Sequence, residues 1–207
     1  MNSGNIILLN GTSSSGKSTL AHALQELLGQ SYFHLDLDLF QKTWHPDFLV
    51  YSDGDNPARA EGFLAVFRED ALAEIRIGPA GFRFMDGLFR AIAGWASAGD
   101  NIIVDGAIYN LQVLRAAVQA LHSFPVLFVG IRCPLEVAEH WEQIRGNRAR
   151  GGARTFHNLV HAHGIYDMEV DTSLSAPAEC AQIVKAAMDG NHPRTAFNRL
   201  AMPMNIQ

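Results

Sequence analysis

The chain has 207 residues, 48% of them hydrophobic, and carries 16 basic against 21 acidic side chains for a formal charge of -5. This length suits one α/β domain with a sizeable core, and the acidic balance, with no basic tract beyond one arginine-rich segment, argues against a nucleic-acid partner and for a small-molecule one. No stretch approaches the roughly twenty apolar residues that span a bilayer, and Cys133 and Cys180, each among apolar neighbours, read as buried thiols of a soluble protein in a reducing cytoplasm.

Short apolar runs alternate with longer helical patterns, the signature of parallel strands joined by right-handed crossovers. Strands are predicted at Asn5 to Asn10, Tyr32 to Leu37, Asn101 to Asp105, Pro125 to Ile131 and Tyr166 to Val170. Helices are predicted at Lys17 to Leu28, Asn56 to Glu74, Gly81 to Ser97, Leu111 to Leu121, Pro134 to Arg145 and Ala176 to Met188, with Pro134 and Gly99 as end signals. The first apolar run lacks a basic leader and reads as a core strand, not a signal peptide. The segment Trp44 to Arg59 mixes turn formers with aromatics and reads either as a substrate-covering element or as a plain connection. Residues 1–189 form the expected domain, and Gly190 to Gln207 reads as a tail, loosely attached or partly disordered. The expected fold is a P-loop NTPase fold, a three-layer α/β/α arrangement around a five-stranded parallel sheet.

The most specific signal is Gly11-Thr12-Ser13-Ser14-Ser15-Gly16-Lys17-Ser18, a complete phosphate-binding loop between a predicted strand and a predicted helix. Gly11 and Gly16 permit backbone angles closed to other residues, so successive N–H groups can face phosphate oxygens while the helix adds its positive end. Residues Gly11 to Thr19 are therefore expected to hold ATP, with Lys17 bridging the β- and γ-phosphates and the Ser18 hydroxyl on Mg2+.

Ligands of open α/β sheets gather at the carboxyl ends of the strands, and two of these ends are acidic. If the second strand persists through Asp38, alternation puts Asp36 and Asp38 on one side. A carboxylate there can take the proton of an attacking hydroxyl, or it can simply cap a helix at Asp38. Asp105 ends the third strand, where it can reach the metal through water or position the substrate. Asp36, Phe40 and Trp44 are the candidate acceptor contacts. Four arginines, Arg145, Arg148, Arg150 and Arg154, fall within ten residues among glycines. Guanidinium groups on such a segment, about residues 140–155, can close over a triphosphate as a lid, Arg145 and Arg148 being the preferred pair. His157, His161 and His163 lack the Cys or carboxylate partners of a metal shell and read as ordinary partly buried histidines. Phe82, Phe84, Met85, Phe89 and Trp95 have helical spacing and read as core, a subset being able to line an apolar acceptor pocket.

These features together resemble the chloramphenicol phosphotransferase family of small P-loop kinases. The resemblance runs along nearly the whole chain through I-I-L-L-N-G-T-S-S-S-G-K-S, L-D-L-D-L-F, I-G-P at Ile77 to Pro79, A-G-D-N-I-I-V-D, V-G-I-R-C with R-G-N-R after it, and Y-D-M-E-V-D-T from Tyr166. It implies ATP-dependent phosphorylation of a hydroxyl, in the family's named case that of an antibiotic bearing a nitrophenyl group. It also implies Asp38 as the base, Gly11 to Thr19 as the phosphate loop, and Arg145 and Arg148 as lid arginines. Gly106 stands where the family type often has a second Asp, and Gln41 to Phe63 is unlike the type sequence, so the reaction type carries over better than the substrate. The alternatives are a kinase of another metabolite or sugar nucleotide, and a nucleotide-sensing module that binds ATP without transfer.

Overall fold

The computed structural model describes residues 3–53, 61–146, 150–190 and 192–202. Five parallel strands lie side by side in the order β2 (Tyr32–Asp36), β6 (Asn101–Gly106), β1 (Ile6–Asn10), β7 (Val126–Arg132) and β8 (Met168–Asp171). The three inner strands are apolar without alternation because both of their faces are covered, the condition under which a parallel sheet forms. Ile6, Leu8, Ile102, Val104, Val126 and Phe128 pack on one face against α2 (Pro79–Ala98) and α3 (Leu111–Leu121). Ile7, Leu9, Ile103, Leu127 and Val129 pack on the other against α1 (Lys17–Leu28) and α6 (Pro177–Asp189). Each such side chain removed from water contributes about 1.5–3 kcal/mol. Cys133 and Cys180 are both buried and free, and no helix among the described residues is long and apolar enough to cross a membrane.

The predicted helix from Asn56 to Glu74 is not present in its described part. Residues 54–60 lie outside the described residues. Beyond them β4 (Phe63–Arg68) and β5 (Ala71–Ile77) form an antiparallel hairpin, with β3 (Leu49–Asp53) parallel to β4 in a second, three-stranded sheet. Ala, Leu, Glu and Arg in this stretch favour a helix locally, but burial of Phe63, Leu64, Ala65 and Val66 overrides that preference. The two-residue turn is Glu69-Asp70, both at positive φ (50° and 59°), the primed geometry that suits a hairpin but is seldom built without Gly or Asn.

The end of β1 is held from three directions by one amide. Asn10, fully buried, accepts from the Ile108 N–H at 2.8 Å and donates to the Val160 carbonyl at 2.8 Å and the Tyr166 hydroxyl at 2.9 Å. His161 Nδ1 lies 2.7 Å from the same hydroxyl. Burial, and then the nearby Arg132 guanidinium, depress the His161 pKa from 6.5 to about 4.

The tail is not loose where it is described. Helix α7 (Ala196–Ala201) completes the first core, with Phe197 4% exposed and its ring 5.2 Å from that of Phe128. Asp167 joins the two by accepting from the N–H groups of Thr195 and Ala196 through Oδ1 and of Phe128 through Oδ2, all at 2.7–2.8 Å. Arg194 adds bonds to Asn5 Oδ1 at 2.7 Å and the Pro125 carbonyl at 3.1 Å. A segment with two prolines and few apolar residues reads as loose because its one buried aromatic has no periodic neighbours in sequence.

Two outcomes are expected. Phe197→Ala should lower the unfolding free energy by about 3–5 kcal/mol, measured from urea transitions. Because His161 is neutral in the fold while the unfolded chain takes up its proton near pH 6.5, stability should be complete above that pH and fall as the pH drops toward 4. Urea midpoints between pH 7.5 and 5 should therefore fall less steeply in His161→Gln than in the parent chain.

Candidate active site

The phosphate-binding loop leaves the sheet at Asn10 and turns back over the carboxyl ends of the strands. Thr12, Ser13, Ser14, Ser15 and Lys17 are all buried. Gly16 takes φ 81°, the left-handed angle from which α1 starts at Lys17, and Ser14 takes φ 57° in the same turn. The loop is held by side chains. Thr12 Oγ1 donates to the Ala153 carbonyl at 2.7 Å, while Ser15 Oγ and Lys17 Nζ donate to the Thr12 carbonyl at 2.9 and 2.6 Å. Thr172, at the end of β8, donates to the Ser15 carbonyl at 2.8 Å. Ser14 Oγ is buried with no hydrogen-bond partner, a cost that a bound phosphate oxygen would remove.

The cleft at this loop is lined by Ser14, Ser15, Gly16, Lys17, Ser18, Thr19, Asp38, Asp105 and Arg145. The fold thus gathers Ser14 to Thr19 of the expected nucleotide-binding residues, the expected base, the metal candidates Ser18 and Asp105, and one lid arginine, drawn from the phosphate loop and α1, the turn after β2, the end of β6 and the end of α4 (Leu135–Arg145). Asp105 is 2% exposed, and burial alone would raise its pKa. The His34 hydrogen bond at 2.9 Å, the Lys17 charge and the Ser18 hydroxyl outweigh that and hold it below the usual carboxylate range. Ser18 and Asp105 supply the hard oxygen donors that suit magnesium.

Asp36 and Asp38 are not related by strand alternation, because β2 ends at Asp36 and residues Leu37–Thr43 turn into a 3-10 helix. Asp36 Oδ1 accepts the Asp38 N–H at 2.8 Å. That bond is an Asx turn, the local competition with strand structure that short acidic side chains set up. Asp38 faces both the phosphate cleft and an adjoining cavity of about 640 Å³, whereas Asp36 borders only the cavity. Gly106 packs closely against Leu37, whose Cδ1 would lie 2.6 Å from a Cβ placed there and would have to move aside.

The larger cavity is walled by Trp44, Leu49 and Tyr51, by Phe63, Ala65, Phe67, Leu72 and Ile75 of the hairpin, and by Met85, Tyr109 and Phe156. Trp44 is stacked on Phe63 with ring centres 4.7 Å apart, so this wall is braced. Phe40 instead packs against Phe84 at the edge of the main core and does not line the cavity. Burial, and then the Asp38 charge, push the Tyr109 phenol well above its ordinary pKa. Among the aromatic run, Phe89 is core and Met85 borders the cavity, whereas Trp95, expected in the core, is 37% exposed and packs edge-on against Phe33.

Of the arginine-rich segment, Arg145 lines both spaces. Arg148 lies outside the described residues, Arg150 is exposed, and Arg154 pairs with Glu139 at 2.7 Å on the exposed side. The described part of this segment is tied down. Glu142, 7% exposed, accepts from the N–H groups of Gly151 at 2.7 Å and Ala153 at 2.8 Å. Leu72 of the hairpin donates to the Arg150 carbonyl at 2.6 Å and accepts from Thr155 Oγ1 at 2.7 Å. Helix α5 (Gly152–Phe156) therefore bridges the phosphate loop and the β4–β5 hairpin. The three histidines go to separate partners: His157 to the Cys133 carbonyl at 3.0 Å, His161 to Tyr166, and His163 to the Ile165 N–H at 3.1 Å. Among the described residues no group of His, Cys, Asp and Glu could hold a metal by itself.

Sequence reasoning missed Glu142, His34 and the hairpin wall. The alternation of charged and apolar residues in Glu74-Ile75-Arg76-Ile77 is the available signal for the wall, while a carboxylate capping a backbone nine residues away leaves no local pattern.

The model of the family described as chloramphenicol phosphotransferase-like protein matches residues 4–189. A Mycobacterium tuberculosis protein named as a candidate O-phosphotransferase is 31% identical over 97% of this chain and 89% of its own length. Among solved structures, a sugar kinase from Janibacter superposes with a TM-score of 0.61 at 14% identity, covering 90% of this chain and 95% of its own. Mycobacterium tuberculosis APS kinase in complex with AMPPNP and APS gives 0.58 at 15%, covering 91% and 99%. Acinetobacter baumannii shikimate kinase in complex with shikimate gives 0.55 at 16%, covering 91% and 94%. These likenesses establish a P-loop kinase fold, and the match over most of the sequence goes further: the chain belongs to the chloramphenicol phosphotransferase-like family and is a phosphotransferase.

Proposed function

We propose that the protein transfers the γ-phosphoryl group of ATP to a hydroxyl of an uncharged, largely apolar small molecule, chloramphenicol or a related compound. The observation that carries this reading is the position of Asp38, the carboxylate that borders both the phosphate cleft and the apolar cavity. The loop N–H groups and Lys17 bind and orient the triphosphate, and Ser18 with Asp105 would hold Mg2+, which supplies charge neutralisation at the phosphates when bound. Asp38 accepts the proton as the acceptor oxygen attacks the γ-phosphorus, the bond to the β–γ bridging oxygen breaks, and ADP leaves with that electron pair. Arg145 balances charge on the transferring group.

The acceptor class follows from the cavity wall. Among its described lining residues the cations are Lys17 and Arg145, both shared with the phosphate cleft, and the acids are Asp36 and Asp38. The wall of Trp44, Leu49, Phe63, Phe67, Leu72 and Phe156 offers an anion nothing. Acceptors such as APS or shikimate, named for two of the structural neighbours, carry a charge that this wall would leave unpaired. A sugar nucleotide would suffer the same cost twice over, and the Asp38 carboxylate aimed at the cleft disfavours a module that only senses ATP.

Asp38→Asn should lower turnover by about 10²–10⁴-fold with nucleotide affinity retained, as read by steady-state kinetics and calorimetry with AMPPNP. Asp36→Asn, whose amide oxygen still accepts the Asp38 N–H, should stay within about threefold of the parent chain. Parent-like turnover in Asp38→Asn removes it from the mechanism. In a panel of alcohols incubated with ATP and Mg2+, phosphorylated product should come from neutral aromatic alcohols and not from carboxylated or sulfated ones; the reverse order would exclude the apolar cavity as the acceptor site.

A further inference from the structure

One polar side chain at the cleft belongs to none of the motifs above. His34 lies on β2, in register with Ile103 of β6, and its Nε2 reaches Asp105 Oδ2 at 2.9 Å, the two side chains being 11% and 3% exposed. Its ring is braced on the other side by His22 of α1, edge to face with centres 5.1 Å apart. His22 stands four residues after Ser18, so both lie on one face of α1. An ionised carboxylate offers no proton, so the His34 nitrogen is the donor. His34 is therefore a wedge between the strand that carries Asp105 and the helix that carries Ser18.

We propose that His34 is a positioning residue of the metal–nucleotide site: its imidazole fixes the orientation of the Asp105 carboxylate relative to Ser18 and so sets how tightly the chain retains a divalent cation with the nucleotide. The inference rests on the phosphotransferase reading above, and extends it to a residue that touches neither nucleotide nor acceptor cavity. The two cleft oxygens come from different elements, Ser18 from the first turn of α1 and Asp105 from the end of β6, and a free carboxylate rotor between them would present its oxygens in many orientations. A hydrogen bond to one oxygen removes that freedom, the role that outer partners play around metal-ligating groups. Asp105 is also acted on by Lys17. Without His34, the ammonium and the Ser18 hydroxyl alone would be left to orient the carboxylate.

The test uses the full chain with Mn2+ and AMPPNP. His34→Gln keeps an N–H donor at the distance of Nε2, and His34→Leu removes it. Free Mn2+ is counted by electron paramagnetic resonance in the presence of AMPPNP, and AMPPNP affinity is measured separately by calorimetry in EDTA. His34→Leu is expected to weaken Mn2+ retention by about 10–100-fold, with metal-free AMPPNP affinity unchanged within about twofold and His34→Gln within about threefold of the parent chain. His34→Asn, whose shorter amide cannot reach the Asp105 oxygen, gives the same comparison if His34→Leu does not fold. Equal weakening with and without Mn2+, or a His34→Gln chain as impaired as His34→Leu, overturns the proposal alone. Failure of the parent chain to bind AMPPNP at all overturns it together with the reading on which it rests.

Discussion

The structure depends on how the carbonyl groups of the phosphate-binding loop are satisfied. A loop whose N–H groups are to face an anion can spend few of them on its own shape; the Ser15 N–H meets the Thr12 carbonyl at 3.4 Å, and most of the bracing must come from elsewhere. Here it comes from side chains. Ser15 and Lys17 converge on the Thr12 carbonyl, Thr172 takes the Ser15 carbonyl, and Thr12 reaches out to Ala153. Two of these anchors, Thr172 beside β8 and Ala153 of α5, lie far from the loop in sequence. The loop is therefore rigid only when β8 and α5 are in place, and its geometry reports the completed fold.

That dependence links the two halves of the site. Ala153 is held by Glu142 and by Thr12, and the same short helix is tied to Leu72 of the hairpin. A buried carboxylate is costly in isolation, and Glu142 offsets this by accepting two backbone N–H groups, the strong charge-assisted kind of bond. The phosphate cleft and the apolar cavity consequently share a wall as well as the residues Lys17, Asp38 and Arg145. A displacement of α5 would move both.

The proposed acceptor class turns on the chemistry of the cavity, not on the fold. A shared sheet and loop set where phosphate lies, whereas the second small sheet sets what lies opposite. β3, β4 and β5 bring Leu49, Tyr51, Phe63, Ala65 and Phe67 to that side, and the charge they do not carry is as informative as the area they offer. On the proposed reading, acceptor choice resides in that wall.

By itself the sequence determined the phosphate loop, the inner strands, and helices α1 and α3, which fall on the predicted residues. These are elements whose signal is local: a Gly-rich motif, unbroken apolar runs, and 3.6-residue periodicity. It also singled out Asp38, Asp105 and Arg145. Only the tertiary structure decided the rest. The hairpin at Phe63 to Ile77 defeats its own helix-favouring composition because burial against Phe156 and Val160, distant in sequence, outweighs fractions of a kcal/mol per residue in local preference. The division of labour between Asp36 and Asp38 turns on where β2 stops, which strand pairing decides. Glu142, His34 and Phe197 take their roles from partners far along the chain or across a connection, and no periodicity within a segment encodes a contact made by folding it against another.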